Sequence, residues 1–410
     1  MPRRKPADRH VLATAVVDSL VVAADPDARR ASIVYWEQGR RWTGAVVEAV
    51  TTSQDPAIRS LGWSLLDEPA DRARYADLRS ALLDRDDEQP SIAAIFDLAW
   101  QAECNSRVGY HLGPLHDPDA LPVSAEELLE FSADAPRGFA PGSPSGGCPD
   151  ADVLVVVPFR DNMGGMRLRN LLACLLGLRD QSLPRERYHV TVVESDEAAR
   201  WEHTVTPVAD HYLFAAKPGD FNKSWAVNVG VVNTPGEAEL ICILDADVLV
   251  DRDFLARNTA RFGSPGTGGH LTYRNMLCLD SAATSGAIRQ RLHSRAAAAD
   301  TERLRGFLLR RPPGCCVWVR SGPFHRIGGM DERYEGWGGE DYDFAHRFDL
   351  AAPFDAYDDP LLHMYHPPSS LLTDEGEQVN AHIPALSWQP GGPIGRLDRF
   401  AAAGDSVAGS

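Results

Sequence analysis

The sequence predicts an α/β protein whose main sheet is mixed but mainly parallel and has flanking helices, with a mostly helical region in front of it. From residue 151 onward, apolar β-branched runs alternate with segments of helical spacing, which is typical of parallel strands joined by helices. Much of residues 1–132 has helical spacing. Residues 133–150 are rich in Pro and Gly and predict a linker between the two regions.

The first region, residues 1–132, is predicted to be a mainly helical accessory region. Residues 70–83 and 91–104 place apolar residues at helical spacing with charges between them, as amphipathic helices do. Residues 32–36 predict a short strand. Nothing in this region indicates a reaction, so its role is left open.

The alternating elements define a second domain over residues 151–400, with right-handed crossovers between parallel strands. Small residues at 401–410 predict a disordered tail. Strands are predicted at residues 152–157, 189–194 and 239–244, and helices at residues 167–179, 222–232 and 281–311.

Composition and charge limit the classes of partner. The chain has 410 residues, of which 44% are hydrophobic and 24% charged, as in an ordinary globular protein. Its formal net charge of −17 repels polyphosphate backbones, so nucleic acid is not expected as a partner. A nucleotide can still bind through a metal ion, whose positive charge offsets this repulsion.

Two features bear on location. The apolar segment at residues 11–22 is too short for a membrane span and contains Asp18, so no span is expected. The seven cysteines are an odd set without paired metal-ligand spacing, which favours reduced thiols. We therefore expect a cytoplasmic protein, while the sequence leaves its oligomeric state open.

Asp245 and Asp247 directly follow the apolar run at residues 239–244, which predicts a buried parallel strand. Ligands of open α/β sheets bind beyond the carboxyl ends of strands, and residues two apart face the same way. Oxygen ligands of this kind suit Mg²⁺ or Mn²⁺. The alternative is a solvated acidic turn, and the similar pair Asp251 and Asp253 is better explained as the start of a helix.

His363 and His366 are a second pair of candidate metal ligands. Histidines three residues apart can bind one ion if the backbone turns, although this spacing alone is weak evidence. Imidazole and carboxylate ligands together fit Mn²⁺ best, so Mn²⁺, or else Mg²⁺, is the expected cofactor.

Residues 336–341 combine three glycines, Trp337 and two adjacent acids. Such a segment is costly as an ordinary loop, because glycine loses entropy on ordering and neighbouring carboxylates repel each other. Glu340 and Asp341 are therefore candidates for the base of a reaction at a hydroxyl group. The alternative is a helix that begins at Glu340 and uses acids in its first turn. Both can hold, with Glu340 fixing the turn and Asp341 facing a substrate.

Five motifs follow one another along the second domain. They are residues 157–161 (VPFRD), 221–230 (FNKSWAVNVG), 244–247 (LDAD), 336–341 (GWGGED) and the terminal His366. With them, residues 151 to about 366 resemble the GT-A glycosyltransferases of the family 2 and family 7 type, including the β-1,4-galactosyltransferases, polypeptide N-acetylgalactosaminyltransferases and chondroitin polymerases. The resemblance covers roughly half of the chain.

The resemblance implies a GT-A fold, the Rossmann-like fold of nucleotide-diphospho-sugar transferases. It implies a metal-dependent inverting hexosyltransferase that moves a hexose or N-acetylhexosamine from a UDP-sugar to an acceptor hydroxyl, with UDP-galactose or UDP-N-acetylgalactosamine as donor. The acceptor is left unknown.

The resemblance also implies residue roles. Asp247 and His366 would hold Mn²⁺, with His363 as a further candidate. Asp341 would be the base, beside Glu340 as a second catalytic candidate. The implied nucleotide-sugar site consists of Pro158, Phe159, Arg160, Asp161, Phe221, Asn222, Lys223, Asp245, Trp337, Gly338 and Gly339.

Two positions depart from the galactosyltransferase pattern. His363 stands where those enzymes carry methionine, so a second imidazole either joins the metal or packs beside it. Tyr342 replaces an acid, which leaves the acceptor contacts open.

Two other functions remain as alternatives. A metal-dependent hydrolase of nucleotide sugars or phosphoesters could use Asp247, His363 and His366, and would release its product to water whether or not an acceptor is added. A non-catalytic nucleotide-sugar binding module would need no base at Asp341.

Overall fold

The structure, a computed structural model, describes residues 8–86, 89–134, 151–367 and 378–400. The predicted tail at 401–410 and most of the predicted linker at 133–150 lie outside these residues. The chain divides into two compact units, which we call unit 1 (residues up to 120, 275–286 and 300–312) and unit 2 (residues 121–274, 287–299 and 313 onward). Unit 1 thus includes two segments of the predicted second domain, and the predicted domain boundaries stay a prediction.

Helices and strands alternate along unit 2, while helices dominate the N-terminal residues. The helices described are α1 (Arg9–Ala24), α2 (Pro26–Ala31), α3 (Ile33–Thr51), α4 (Pro56–Asp67), α5 (Arg72–Leu83), α6 (Pro90–Asn105), α7 (Ala125–Asp134), α8 (Met166–Arg179), α9 (Glu202–Val205), α10 (Lys223–Asn233), α11 (Phe254–Arg261), α12 (Ser281–Ile288), α13 (Ser321–Arg326) and α14 (Glu340–Ala351). The strands described are β1 (Val108–Leu112), β2 (Ala151–Phe159), β3 (Tyr188–Glu194), β4 (His211–Phe214), β5 (Ala238–Leu244), β6 (Val248–Leu249), β7 (Gly269–Leu271), β8 (Asn275–Leu279), β9 (Arg305–Arg310), β10 (Cys316–Arg320), β11 (Phe354–Ala356) and β12 (Leu361–His363).

Unit 1 is a helical cluster around α1. Nearly every residue of α1 from Leu12 to Val22 is buried, as expected for a helix that is apolar on all sides. Antiparallel pairing joins β1 to β9 and β9 to β8, so these strands belong to unit 1 through their hydrogen bonds. In the part of the chain that is described, no helix combines the length and apolar character needed to cross a bilayer.

Two predicted elements were wrong. Residues 32–36 are not a strand, because the Ser32 hydroxyl accepts a hydrogen bond from the Tyr35 N–H and caps α3, which runs through the segment. The predicted helix at 281–311 is helical only in its first part. Its last residues form β9, whose backbone groups pair with β1 and β8 on either side. Long-range pairing of this kind overrides local helical spacing.

A buried ionic network ties β9 to the N-terminal helices of unit 1. The Arg305 side chain is 7% exposed and lies between Asp25, with which it forms an ion pair, and Asp280, at 3.1 Å. The Asp280 carboxylate also lies 3.3 Å from His116 Nε2. Removing one member of such a pair leaves the others charged and buried, which costs more than the pair contributes.

We expect Arg305→Met to lower the free energy of unfolding by about 3–5 kcal/mol, because it strands the carboxylates of Asp25 and Asp280. Urea unfolding followed by circular dichroism measures the loss. The matched control is Arg303→Met, whose guanidinium is 55% exposed and 3.6 Å from Asp300. Equal effects of the two substitutions would contradict a structural role for the buried network.

Unit 2 is built on a seven-stranded sheet with the order β11-β7-β10-β5-β2-β3-β4. Strands β5, β2, β3 and β4 pair in parallel, as do β11 and β7, while β10 is antiparallel to both of its neighbours. Helices α10, α13 and α14 supply apolar side chains that pack on those of the central strands. The predicted α/β class with a mixed, mainly parallel sheet and flanking helices is confirmed.

Candidate active site and metal centre

The backbone brings two distant segments to the end of β5. The Asp245 N–H donates to the Cys315 carbonyl at 2.9 Å, which continues the pairing of β5 with β10. The Met364 N–H donates to the Asp247 carbonyl at 2.7 Å, and His363 pairs with Val248 where β12 meets β6. Main-chain hydrogen bonds therefore fix the aspartates against the histidine segment.

Asp247, His363 and His366 form a cluster suited to a divalent cation. Their candidate ligand atoms all lie within 4.8 Å of one another. His366 Nε2 is 3.1 Å from Asp247 Oδ2, and His363 Nε2 is 3.5 Å from Asp247 Oδ1. Asp247 is only 7% exposed, yet its Oδ1 has no hydrogen-bond partner among the described residues. An unpartnered carboxylate oxygen facing two imidazoles fits Mn²⁺ or another borderline cation.

Neighbouring groups hold these ligands in place. His366 Nδ1 lies 2.7 Å from the Pro367 carbonyl and can donate to it, which leaves Nε2 as the metal-facing atom. Arg169 and Asn170 of α8 both donate to the Tyr365 carbonyl, at 2.9 and 3.2 Å. These contacts fix the turn that carries both histidines.

The charges of the cluster favour the metal-binding protonation states. Burial acts to raise the pKa of Asp247, but the two histidines and Arg167 outweigh it and hold that pKa well below its ordinary value. Burial lowers the pKa of His363 to about 4, against the opposing effect of Asp247. A carboxylate and a neutral imidazole are the forms that coordinate a cation.

Lys223 joins Asp245 to Asp341. Its Nζ lies 2.9 Å from Asp245 Oδ1, and 3.0 and 3.1 Å from the two carboxylate oxygens of Asp341. Asn222 caps α10 by accepting the Trp225 N–H at 2.8 Å, which places Lys223 at the first residue of the helix. Burial opposes the charge of Lys223, but the two aspartates raise its pKa well above the ordinary value. The sequence did not predict this bridge.

Asp245 lies between the two other aspartates. Burial raises the pKa of Asp245, the charges of Asp341 and Asp247 raise it further, and Lys223 offsets part of the effect. Asp247 lies two residues beyond Asp245, and Lys223 Nζ lies 2.9 Å from Asp245 and 3.0 Å from Asp341, so the metal-type cluster and Asp341 adjoin.

The glycine turn before α14 presents Asp341. Gly338 and Gly339 have φ of 103° and 99°, which a residue with a side chain rarely adopts. The Gly338 N–H donates to Glu340 Oε2 at 3.1 Å, so Glu340 fixes the turn, as one sequence interpretation expected. Trp337 is 47% exposed.

Gly314 lies opposite Asp341. A Cβ atom there would lie 2.3 Å from Asp341 Oδ2, closer than two atoms can approach without displacement. The absent side chain therefore leaves the carboxylate its place beside Lys223.

Glu340 is buried at the start of α14. Burial raises its pKa to about 8, and the charge of Asp341 adds to the effect. Near neutral pH the group therefore keeps its proton for the most part, in contrast to an exposed glutamate.

The remaining predicted donor residues are placed at the ends of β2 and α10. Pro158 and Phe159 are buried in β2. Arg160 donates to the carbonyls of Ser195, Lys217 and Gly219, at 2.5, 2.6 and 2.5 Å. Its guanidinium therefore shapes the loops there.

Asp161, Phe221 and Asn222 also make structural contacts. Asp161 accepts the N–H groups of Met163 and Gly165 at 3.0 and 2.7 Å, which shapes the turn before α8. The Phe221 carbonyl accepts the Gly336 N–H at 2.8 Å and so links the first glycine of the turn to α10. Asn222 Nδ2 donates to the Glu332 carbonyl at 2.9 Å.

Sequence reasoning missed Arg167 and Asn380. Arg167 Nη1 is 3.9 Å from Asp247 Oδ2. Asn380 Nδ2 donates to the carbonyls of Glu335 and Gly338, at 3.0 and 2.8 Å, and thereby braces the glycine turn. Arg167 could have been noticed because it lies in the first turn of a helix, where acidic residues are normally favoured. No sequence pattern pointed to Asn380.

One family model matches the chain. Residues 310–352 match the model described as the N-terminal domain of galactosyltransferase. This segment includes Gly314, the glycine turn, Glu340 and Asp341. No curated protein matches the chain.

Similar solved structures were also found. S. aureus TarS 1-349 is 12% identical with a TM-score of 0.37, over 52% of this chain and 60% of that chain. A mutant Drosophila β1,4-galactosyltransferase 7, in complex with manganese, UDP-Gal and xylobiose, is 17% identical with a TM-score of 0.33, over 53% of this chain and 71% of that chain. The catalytic domain of the same Drosophila enzyme with xylobiose is 17% identical with a TM-score of 0.31, over 58% of this chain and 76% of that chain.

The family match falls on the segment that carries the predicted base. Together with the α/β architecture, it confirms the resemblance to GT-A glycosyltransferases of the galactosyltransferase type and supports a glycosyltransferase.

The pKa of Glu340 leads to a pH-dependence of stability. The pKa of Glu340 is about 8 in the folded protein, against an ordinary value of 4.5. The contribution of protonated Glu340 to the free energy of unfolding is therefore complete below pH 4.5 and is lost as the pH rises through 8. We expect wild-type protein to lose stability over this range, by up to about 1.4 kcal/mol per pH unit for one proton, and Glu340→Gln to lose less. Urea unfolding at pH 5, 6, 7 and 8 without metal or nucleotide measures the difference, with exposed Glu197→Gln as control. Parallel curves for wild type and Glu340→Gln would contradict the buried, protonated Glu340.

Proposed function

We propose that the protein is a metal-dependent inverting glycosyltransferase that moves a hexose or N-acetylhexosamine from a UDP-sugar to an acceptor hydroxyl. The observation that carries the proposal is the placement of Asp245 between two groups of different chemistry. On one side lie Asp247, His363 and His366, which suit a cation. On the other side lies Asp341, tied to Asp245 through Lys223. A leaving diphosphate and an attacking hydroxyl need such groups on opposite sides of a sugar.

Each group has a distinct role in the proposed reaction. A bound Mn²⁺ would neutralise the negative charge that grows on the leaving nucleotide. Asp341 accepts the proton of the acceptor hydroxyl as that oxygen attacks the anomeric carbon from the face opposite the nucleotide. Lys223 holds both carboxylate oxygens of Asp341, which orients the base. Glu340 fixes the turn that places it.

The donor and acceptor sides follow from the same arrangement. Asp245 is the proposed ribose ligand, and UDP-galactose or UDP-N-acetylgalactosamine is the proposed donor, as the motif resemblance implies. Trp337 is half-exposed and precedes Asp341 in the glycine turn, so its ring is available to pack on a sugar ring. The proposed location is the cytoplasm, which agrees with six free cysteines among the described residues.

A panel of nucleotide sugars tests donor and metal together. We expect wild-type protein to release UDP from one UDP-sugar when MnCl₂ is present. Asp247→Ala should lose both the Mn²⁺-stimulated release and the Mn²⁺-stimulated binding of UDP, because it removes the carboxylate of the cluster. Nucleotide release and isothermal titration calorimetry measure the two effects, with exposed Asp253→Ala as the matched control. Mn²⁺-independent release of equal size in wild type would rule out the metal role. An added acceptor should convert released sugar into a glycoside, whereas a hydrolase would ignore it.

Removal of the base should separate binding from turnover. We expect Asp341→Asn to keep UDP affinity within a few-fold and to lower kcat by about 10²–10⁴-fold, the usual contribution of general-base catalysis. Steady-state kinetics with the identified donor measure kcat. Asp349→Asn, on the exposed side of the same helix, is the control and should retain activity. Unchanged turnover in Asp341→Asn would exclude Asp341 as the base.

A further inference from the structure

Four arginines line a small cavity at the C-terminal end of α8, within unit 2. This arginine cavity has a volume of about 110 Å³, and the charged residues around it are Arg179, Arg252, Arg291, Arg295 and Asp180. Four arginines and one aspartate leave an excess of three positive charges, in a chain whose formal net charge is −17. Because like charges held close together repel one another, an anion in the cavity is favourable.

Arg291 is a structural member of this group. Its side chain is 1% exposed, and its Nε donates to the Val250 carbonyl at 3.0 Å. Its terminal nitrogens donate to the side chain and to the backbone carbonyl of Asp180. Arg252 also donates to Asp180 Oδ2, at 3.0 Å. The single carboxylate is therefore shared by two guanidinium groups and offsets only one of their charges.

Arg252 and Arg295 keep N–H groups that are available to a ligand. The backbone of Arg252 is held on both sides, since its N–H donates to the Ala297 carbonyl at 2.7 Å and its carbonyl accepts the Ser182 N–H at 2.8 Å. Its Nε and Nη2 donate to Asp180 and to the Arg295 carbonyl, while its Nη1 has no acceptor in the part of the chain that is described. The guanidinium of Arg295 has neither a hydrogen bond nor an ion pair with a described residue. These donors are fixed at the cavity and unsatisfied.

The charge of Arg179 adds to this demand for an anion. Burial lowers the pKa of Arg179, and the charge of Arg185 lowers it further, against the opposing effect of Asp210. A negative charge in the cavity would oppose both lowering effects.

The end of α8 does not supply the missing negative charge. A helix C-terminus carries partial negative charge on its last carbonyls. Here the Gly177 carbonyl accepts Gln181 Nε2 at 2.8 Å, and the Leu178 carbonyl accepts the Tyr188 hydroxyl at 2.8 Å. These carbonyls are already used, so the arginines are left for a ligand.

Size and lining identify the class of ligand. A volume of about 110 Å³ admits a phosphate-sized anion, whereas sites for nucleotides and other drug-sized ligands need about 300 Å³ or more. Phe131, Leu176 and Leu292 form apolar walls, which exclude water and so strengthen the attraction between guanidinium groups and an anion. The planar guanidinium group matches the oxygens of phosphate, and an excess of three positive charges favours a dianion over a monocarboxylate.

We propose that the arginine cavity binds a small doubly charged oxyanion such as inorganic phosphate, held by Arg252 and Arg295 beside the charge of Arg179. The site is separate from the proposed donor site. Arg169, which supports the histidine turn, and Arg179 are ten residues apart in α8, which is about 15 Å along the helix. The inference is independent of the proposed function, since neither the metal-type cluster nor Asp341 takes part.

Isothermal titration calorimetry with sodium phosphate tests the inference, in EDTA, at constant ionic strength and at a pH where phosphate is a dianion. We expect wild-type protein to bind phosphate and Arg295→Ala to bind it about 10-fold more weakly, as for a lost charge-assisted hydrogen bond. Arg252→Lys should also weaken binding, because it keeps the charge beside Asp180 but loses the Nη1 donors. The matched control is Arg326→Ala, which removes an exposed arginine of unit 2 that has no hydrogen bond or ion pair with its side chain among the described residues. It should bind phosphate like wild type, and so should Asp247→Ala.

Thermal unfolding gives a second measure. Phosphate should raise the unfolding midpoint of wild type and of Arg326→Ala more than that of Arg295→Ala or Arg252→Lys, because a ligand stabilises the folded form that binds it. Arg295 is exposed, so its removal is expected to leave the fold intact.

Three results would overturn the inference. They are no phosphate binding by wild type, equal losses in Arg295→Ala and Arg326→Ala, which would show a general effect of charge, and acetate binding as tight as that of phosphate. No measurement here uses a nucleotide or Mn²⁺, so failure of this inference is distinguishable from failure of the proposed function.

Discussion

The contact on which the site depends is the ammonium group of Lys223 between Asp245 and Asp341. Two carboxylates brought together in a largely buried place would repel each other, and the shared cation turns this repulsion into attraction. Two features make the bridge possible. Asn222 caps α10, so that the helix begins at Lys223, and Gly314 has no side chain that would displace Asp341. The start of α10, the end of β5 and the glycine turn before α14 therefore meet at Lys223 Nζ.

The metal-type cluster is assembled by backbone pairing instead of by side-chain attraction. The pairing of β12 with β6 sets His363 against Val248, and the turn after it returns His366 to Asp247. Side chains from α8 then hold the turn through the Tyr365 carbonyl. These contacts form without a bound ion, so the metal-binding side chains are already in position. Less conformational entropy is therefore lost when a metal ion binds.

The sequence predicted those parts of the molecule that local chemistry determines. The strands of the parallel sheet were readable because each is a short apolar run, and the aspartates stood out because they follow such a run directly. Residues 32–36 and 281–311 were misassigned because capping by Ser32 and pairing of β9 decide their structure. The contact of Lys223 with Asp341 and the brace from Asn380 join residues more than forty positions apart. Pattern and spacing within a short window carry no information on such contacts.

The strand β9 has a consequence for how the protein can be divided. Its residues come late in the chain, but its partner β1 and the carboxylate of Asp25 come from the first third. A chain trimmed of those early residues would leave one side of β9 with bare N–H and C=O groups and Arg305 without Asp25, which invites aggregation. The N-terminal residues therefore cannot be removed without exposing β9. Excision or grafting would have to move the interleaved segments together.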